Sequence, residues 1–194
     1  MCARMALKPE ELEHPETLTV SKKSETRKIA GAMAHALRRQ DSIGVDALGS
    51  ANLYTTVKAA IIASHFLKHK VHMDIKFRDR KRNALSLKVC KPREDAWKAV
   101  VHSSITVAGE SDFAAVGGAI ANRIREGGDK KHAIAVMAVG VLACHTTLMA
   151  CALASTLLDK EDITMLFAPS FEDTKDDTKG KESITFLKMV AFRA

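Results

Sequence analysis

The residues best suited to bind a ligand are two clusters of cations, each at a predicted connection between secondary-structure elements. The first cluster follows a short apolar run and consists of Lys22, Lys23 and Arg27. The second lies between two runs of alternating polarity and consists of Arg78, Arg80, Lys81 and Arg82. Cations on connections reach outward, and each contact with a phosphate releases condensed counterions. The clusters therefore predict contacts with phosphates. As ordinary solvated charges they would instead protect sheet ends from aggregation.

The positive charge is confined to the first half of the chain. Residues 1–98 hold twenty Lys and Arg against eleven Asp and Glu, giving +9, whereas residues 99–194 hold ten against twelve, giving −2. An excess on one half is typical of a protein that meets a nucleic-acid backbone or an acidic protein surface. Aromatic residues make up only 5% of the chain, which disfavours recognition of single strands by base stacking.

Other combinations of reactive side chains are incomplete. His65, His69 and His72 have no nearby acidic or Cys partner, so we expect no metal site. Asp173, Asp176 and Asp177 alternate with lysines, which indicates a solvated loop. No phosphate-binding loop or G-x-S-x-G motif occurs, and His145 is predicted to cap a helix or lie in the core. We therefore expect neither an enzyme nor a cofactor.

The cysteines and the apolar runs indicate a reducing, aqueous compartment. Cys144 and Cys151 lie seven residues apart in an apolar helical pattern, which predicts buried thiols, and Cys2 and Cys90 complete no C-x-x-C motif. No run approaches eighteen apolar residues, so no membrane span is expected. The first sixteen residues carry four Glu and no apolar stretch, which favours a cytoplasmic location.

An internal repeat supplies the elements that must position the cations. Residues 24–38 match 111–125 at Ser, Gly, Ala and Arg positions, and residues 52–64 match 144–155. The separation is 87 residues early and 91 later, which places a four-residue insertion near Gly127 to Lys131.

Each copy is predicted to have the element order βαβαββ. In copy one, strands at 18–21, 43–48, 71–77 and 85–89 alternate with helices at 25–39, with Ser24 as N-cap, and 53–67. In copy two, the elements are expected at 104–107, 114–125, 132–139, 142–158, 163–167 and 184–192, with a polar loop over 169–182. The chain therefore divides into module 1 (17–91), a linker (92–101) and module 2 (102–194).

Several motifs in copy one resemble the stage V sporulation protein S family. They are V-S-K-K-S (20–24), I-A-G-A-M-A-H-A-L-R (29–38) and A-L-G-S-A-N-L-Y-T-T-V-K-A-A-I-I-A (47–63), which includes Lys58. Copy two departs more: the Lys of the first motif is lost in 107–111, and Cys144 and Met149 stand where Asn52 and Lys58 are.

That family is similar to the Alba proteins, which are dimeric βαβαββ domains that bind DNA or RNA with a Lys pair after the first strand and a basic hairpin. The resemblance implies an α+β, two-layer fold in which the tandem modules form a covalent pseudo-dimer. It also adds Lys58 to the nucleic-acid-binding candidates. The expected core and interface residues are Ile61, Ile62, Phe66, Leu148, Leu153 and Leu157.

The leading hypothesis is a non-catalytic protein that binds RNA or DNA through backbone contacts on the basic face of module 1. The alternative is a structural or adaptor subunit of a large assembly, such as a ribonucleoprotein or a cytoskeletal or axonemal microtubule-associated complex. In that case the same basic face would bind an acidic protein surface. Under the leading hypothesis, module 2 is expected to serve as the fixed intramolecular partner of module 1.

Overall fold

The computed structural model describes residues 17–79, 81, 84–92, 99–128, 132–173 and 184–194. Copy one consists of β1 (Thr17–Val20), α1 (Thr26–Arg39), β2 (Ser42–Ala47), α2 (Ser50–Leu67), β3 (His72–Asp79) and β4 (Ala84–Cys90). Copy two consists of β5 (Val100–Val107), α3 (Phe113–Glu126), β6 (His132–Ala138), α4 (Gly140–Asp159), β7 (Met165–Asp173) and β8 (Thr185–Arg193). The predicted tandem βαβαββ organisation is confirmed.

The eight strands form one continuous sheet that joins the two copies. Their order is β1-β2-β4-β3-β7-β8-β6-β5, so the last two strands of each copy lie at the centre. At the seam β3 and β7 run antiparallel, with Met73 opposite Phe167. Helix α2 packs against α4, and α4 also contacts β3 of the other copy. The tandem modules therefore form the predicted pseudo-dimer through both the sheet and the helices.

Alternation along the strands explains how the helices attach to the sheet. In β4, Leu85, Leu87 and Val89 are buried beneath the helices, while Ser86 and Lys88 between them are exposed on the opposite face. Such alternation is expected for a sheet covered on one face only.

Helix α4 is the most apolar element because it is surrounded on several sides. An 18-residue window within this 20-residue helix has a mean hydropathy of 1.7, enough by length and composition alone to span a bilayer, but 67% of that window is buried inside the protein. A core helix of a folded domain has the same composition. It packs on α3, α2 and β3, which accounts for its apolar residues on nearly every face.

The turns before α2 and α4 share one backbone conformation. Gly49 and Gly140 have φ angles of 84° and 86°, a left-handed region that favours glycine. This correspondence fixes the structural register of the repeat at 91 residues. It aligns Met149 with Lys58, as expected, but it aligns Cys144 with buried Leu53 rather than with Asn52. The predicted pairing of Cys144 with Asn52 is therefore one residue off.

Several predicted boundaries shift. Glu25, not Ser24, is the N-cap of α1, because the Ser24 hydroxyl instead accepts a hydrogen bond from the Ser21 amide. Strand β5 begins at Val100, inside the predicted linker. Strand β7 continues to Asp173, through the first part of the predicted loop, because it pairs with β8 without a break.

The predicted core and interface residues are buried or partly buried, with one exception. Ile61, Leu148 and Leu153 are buried, and Ile62 and Leu157 are partly buried against the same core. Phe66 is 47% exposed. It follows Ile62 by one turn and lies in the last turn of α2, where the buried stripe of the helix ends.

Candidate nucleic-acid interface and junction cleft

The two predicted cation clusters lie at the same end of the sheet. Strands β1 and β2 are parallel and end together at Val20 and Ala47, and β2 meets β4 near the β3–β4 hairpin through Asp46 and Ser86. Neighbouring strands are about 4.8 Å apart, so β1 and β3 are separated by about 15 Å. We call this surface the basic end; its described cations are Lys22, Lys23, Arg27, Arg78 and Lys81. Arg80 and Arg82 of the hairpin lie outside the described residues.

The cations of the basic end are exposed and weakly paired. Within the described part of the chain, Lys22, Lys23 and Arg27 make no ion pair. The Arg78 Nη1 atom is 3.3 Å from Asp46 Oδ1, and both side chains are well exposed. Exposed pairs of this kind contribute about 0–1 kcal/mol, so a phosphate can compete for Arg78.

Two helices begin at the basic end without a side-chain cap. Neither Glu25 before α1 nor Gly49 before α2 makes a side-chain capping bond, and neither first turn contains an acidic residue. By contrast, Asp112 caps α3 by accepting a hydrogen bond of 2.8 Å from the Ala114 amide. The start of α2 therefore has no acidic side chain beside its amide groups, which favours a bound anion there, whereas the Glu25 carboxylate lies at the start of α1 and pairs with Lys28.

Lys58 belongs to a different surface. It lies two turns into α2, and its ammonium group is 5.3 Å from the centroid of the Tyr54 ring. Tyr54 in turn contacts the edge of Phe171 on β7. The structure thus brings Lys58 to the boundary between the copies and separates it from the basic end.

Lys58 lines a cleft of about 870 Å³ where β7 continues past the first residue of β3. We call this the junction cleft; its titratable lining residues are Lys58, His65, Lys68, His69, Lys70, His72, Glu172 and Lys188. Sequence reasoning missed it because its two sides are about a hundred residues apart in the chain. The available signal was the density of Lys and His residues after α2, which the pattern of a metal site does not explain. Among the described residues, no group of three or more His, Cys, Asp or Glu side chains could hold a metal ion.

On the opposite side of the same seam, which we call the closed side, the charges are paired. The Lys76 ammonium group on β3 donates to Asp159 Oδ2 at the end of α4 over 2.8 Å, and this bond raises the pKa of Lys76. Nearby, the Arg125 guanidinium donates to both oxygens of Glu161 and lowers the pKa of that carboxyl group. The two sides of the seam therefore differ in charge as well as in openness.

The remaining reactive side chains are held in unreactive states. Burial raises the pKa of the Cys144 thiol to about 12 and also raises the pKa of Cys151, so both stay protonated. His145 lies in the second turn of α4, past the cap, and partial burial lowers its pKa. Neither the thiols nor this imidazole forms a nucleophile–base pair in the described contacts.

Comparison with known proteins agrees with the repeat. No curated protein matches the chain significantly. The sequence pattern of the family described as Stage V sporulation protein S matches residues 16–91 and again residues 103–191. These two segments contain all twelve described elements except the first residues of β5 and the last residues of β8. The chain therefore belongs to the stage V sporulation protein S family and carries two tandem copies of its domain.

Proposed function

We propose that this protein binds the backbone of RNA or DNA through the basic end of module 1, without catalysis and with low sequence specificity. The observation that carries the proposal is the strand register: Lys22, Lys23 and Arg27 lie at the same end of the sheet as Arg78 and Lys81, with β1 and β3 about 15 Å apart. Along the duplex axis the phosphates of one strand rise by about 3.4 Å per base pair, so a span of about 15 Å corresponds to roughly four base-pair steps.

Weak pairing and uncapped helices support this assignment. Lys22, Lys23 and Arg27 carry exposed charge without an acidic partner in the described residues, and α1 begins beside them without a side-chain capping hydrogen bond. Backbone contacts position a protein but carry no sequence information. Binding of this kind is expected to have dissociation constants of about micromolar or weaker at physiological salt.

The test is fluorescence anisotropy of the full chain with labelled RNA and DNA duplexes of several sequences at about 150 mM salt. Saturable binding of similar strength for every sequence supports the proposal. Replacing the hairpin cations together (Arg78→Ala, Arg80→Ala, Lys81→Ala and Arg82→Ala) should weaken binding equally for every duplex. The proposal would be contradicted if no binding occurred at protein concentrations up to about a hundredfold above the weakest dissociation constants typical of non-specific binding.

A second candidate function is that of an adaptor subunit in a large assembly. At the end of copy two that corresponds to the basic end, the described residues expose two apolar side chains: Val139 is 58% exposed and Leu142 is 66% exposed, while Leu48, the counterpart of Val139, is 70% exposed beside the cations of copy one. Exposed apolar groups of this kind are typical of protein contacts, and the basic end would then meet an acidic protein surface. Pull-down from lysate with and without nuclease separates the two functions, because only nucleic-acid-mediated partners are lost on digestion.

A further inference from the structure

The junction cleft has an apolar floor built by both copies. Ala168, Val190 and Phe192 project from β7 and β8, and Ile61 approaches from α2. Phe192 is buried, and the His72 ring contacts it edge to face with centroids 4.9 Å apart. The floor is therefore supplied mainly by copy two, and His72 of copy one packs against it.

Cations surround this floor. Lys58, Lys68 and Lys70 come from copy one, and Lys188 comes from copy two. Glu172 is the one carboxylate that lines the cleft among the described residues, and it already pairs with Lys188 at 2.9 Å. Three lysines therefore remain for an anionic group.

The size and the polarity of the junction cleft fit a small molecule. Ligand pockets typically enclose about 300–1,000 Å³, with a mostly apolar lining and a few convergent polar groups. We propose that the junction cleft binds a small organic anion, whose apolar or aromatic body lies on the floor while its phosphate, sulfonate or carboxylate group contacts the lysine rim. This site is separate from the basic end and stands or fails independently of the proposed function.

A nucleic-acid backbone fits this cleft less well than a small amphipathic anion. A sugar-phosphate chain is polar along its length and would bury Val190 and Ala168 against hydrated groups, which gains little free energy. An organic anion with an apolar body uses the floor and the rim together. The same reasoning predicts that inorganic phosphate alone binds weakly.

The experiment titrates the full chain with 8-anilinonaphthalene-1-sulfonate, an aromatic sulfonate that fluoresces in apolar surroundings. We expect one saturable site per chain with an affinity that falls as salt increases. Lys68→Ala with Lys70→Ala should weaken binding on the order of fivefold. Lys58→Met introduces the residue found at the equivalent position of copy two and should weaken binding about twofold. Lys22→Ala with Lys23→Ala, at the basic end, is the matched control and should leave binding unchanged.

A change on the floor and a competition assay complete the test. Ala168→Phe should fill the cleft and abolish the single site, and an unchanged thermal unfolding temperature would show that the fold is intact. Phenyl phosphate should displace the probe at concentrations at least tenfold below those needed with inorganic phosphate.

Three results would overturn the proposal. The probe could bind several sites with no response to the changes at Lys68, Lys70 and Ala168, as expected if it adheres to the exposed apolar side chains of Val139 and Leu142. It could be displaced equally by phenyl phosphate and inorganic phosphate. It could also be displaced by a short duplex at the concentration that saturates the basic end, which would assign the cleft to the nucleic-acid backbone.

Discussion

The two copies have the same backbone arrangement but differ in charge at one end. Where β1, β2 and the β3–β4 hairpin meet, module 1 presents Lys22, Lys23 and Arg27 beside the exposed Leu48, whereas the described residues at the equivalent end of module 2 expose Val139 and Leu142. At the seam both copies contribute buried apolar residues, Met73 from copy one and Phe167 from copy two. The copies are therefore alike in packing at the seam and different in charge at the end of the sheet.

The two copies also differ in charge at the seam. The segment that leaves α2 carries Lys68, His69 and Lys70, whereas α4 ends at Asp159 and is followed by Lys160, Glu161 and Asp162. The acidic segment pairs with Lys76 across the seam, and the basic segment lines the junction cleft. The end of α2 is thus basic and lines the open side of the seam, whereas the end of α4 is mainly acidic and lies on the closed side.

The largest expected effect comes from separating the modules. Residues 1–98 and 99–194, expressed apart, would expose the seam formed by Met73, Phe167 and the α2–α4 contact. We expect each half to homodimerise or aggregate, while the full chain stays a single pseudo-dimer. Size-exclusion chromatography with light scattering measures this. Soluble, monodisperse monomers from both halves would contradict the role of the seam.

A change at one seam residue should have the next largest effect. Phe167 is completely buried, so Phe167→Ala should lower the free energy of unfolding by about 3–5 kcal/mol. Phe66→Ala removes the same ring from a half-exposed position and should cost less than about 1.5 kcal/mol. Urea denaturation of both variants gives the comparison, and equal losses would show that the seam is not more tightly packed than the end of α2.

Alkaline pH tests the core of copy two, where Cys144 replaces the buried Leu53 of copy one. The ordinary thiol pKa is 9.0, and burial raises the pKa of Cys144 to about 12. The unfolded chain loses this proton first, so stability falls as pH rises from 9 towards 12. By about pH 10.5 the loss is about 2 kcal/mol.

The measurement is urea denaturation at about pH 7 and about pH 10.5. Cys144→Ala should remove that share of the pH dependence, and Cys90→Ala, at a half-buried position, should leave it in place. If the free energy of unfolding of Cys144→Ala falls with pH as much as that of the unchanged protein, other groups cause the loss of stability at alkaline pH.

The smallest expected effect concerns the closed side of the seam. Asp159→Asn breaks the exposed ion pair with Lys76 and should lower the free energy of unfolding by only about 0.2–1 kcal/mol, less in high salt. Glu172→Gln, which breaks the corresponding pair with Lys188 on the open side, is the matched control. A loss above about 2 kcal/mol for Asp159→Asn alone would mean that this pair holds the seam closed.

The sequence was sufficient for the fold where a pattern is local. Alternation predicted β4 because Leu85, Leu87 and Val89 have one covered face, and the stripe of Ile29, Met33 and Leu37 predicted α1. It was insufficient where tertiary contacts decide: β7 runs past Phe167 to Asp173 because β8 pairs with it. The junction cleft depends on residues from both copies, so no local pattern could reveal it.

The candidate residues divide in the same way. Lys22, Lys23, Arg27 and Arg78 could be assigned to one surface because they lie at predicted strand ends. Lys58 was grouped with them only through the family resemblance. Its place at the junction cleft follows from α2 packing beside β7, which is a contact between the copies.

The salt dependence of duplex binding tests the central claim, that the placement of charge at the basic end matters and not the charge of module 1 as a whole. Two variants remove the same net charge from module 1: Lys22→Ala with Lys23→Ala at the basic end, and Arg39→Ala with Lys88→Ala at exposed positions elsewhere. The logarithm of the binding constant is measured against the logarithm of salt concentration. We predict that the first variant reduces the slope by about two units, because each phosphate contact contributes about 0.9, while the second leaves it nearly unchanged. Equal reductions in both variants, or none in the first, would contradict the account.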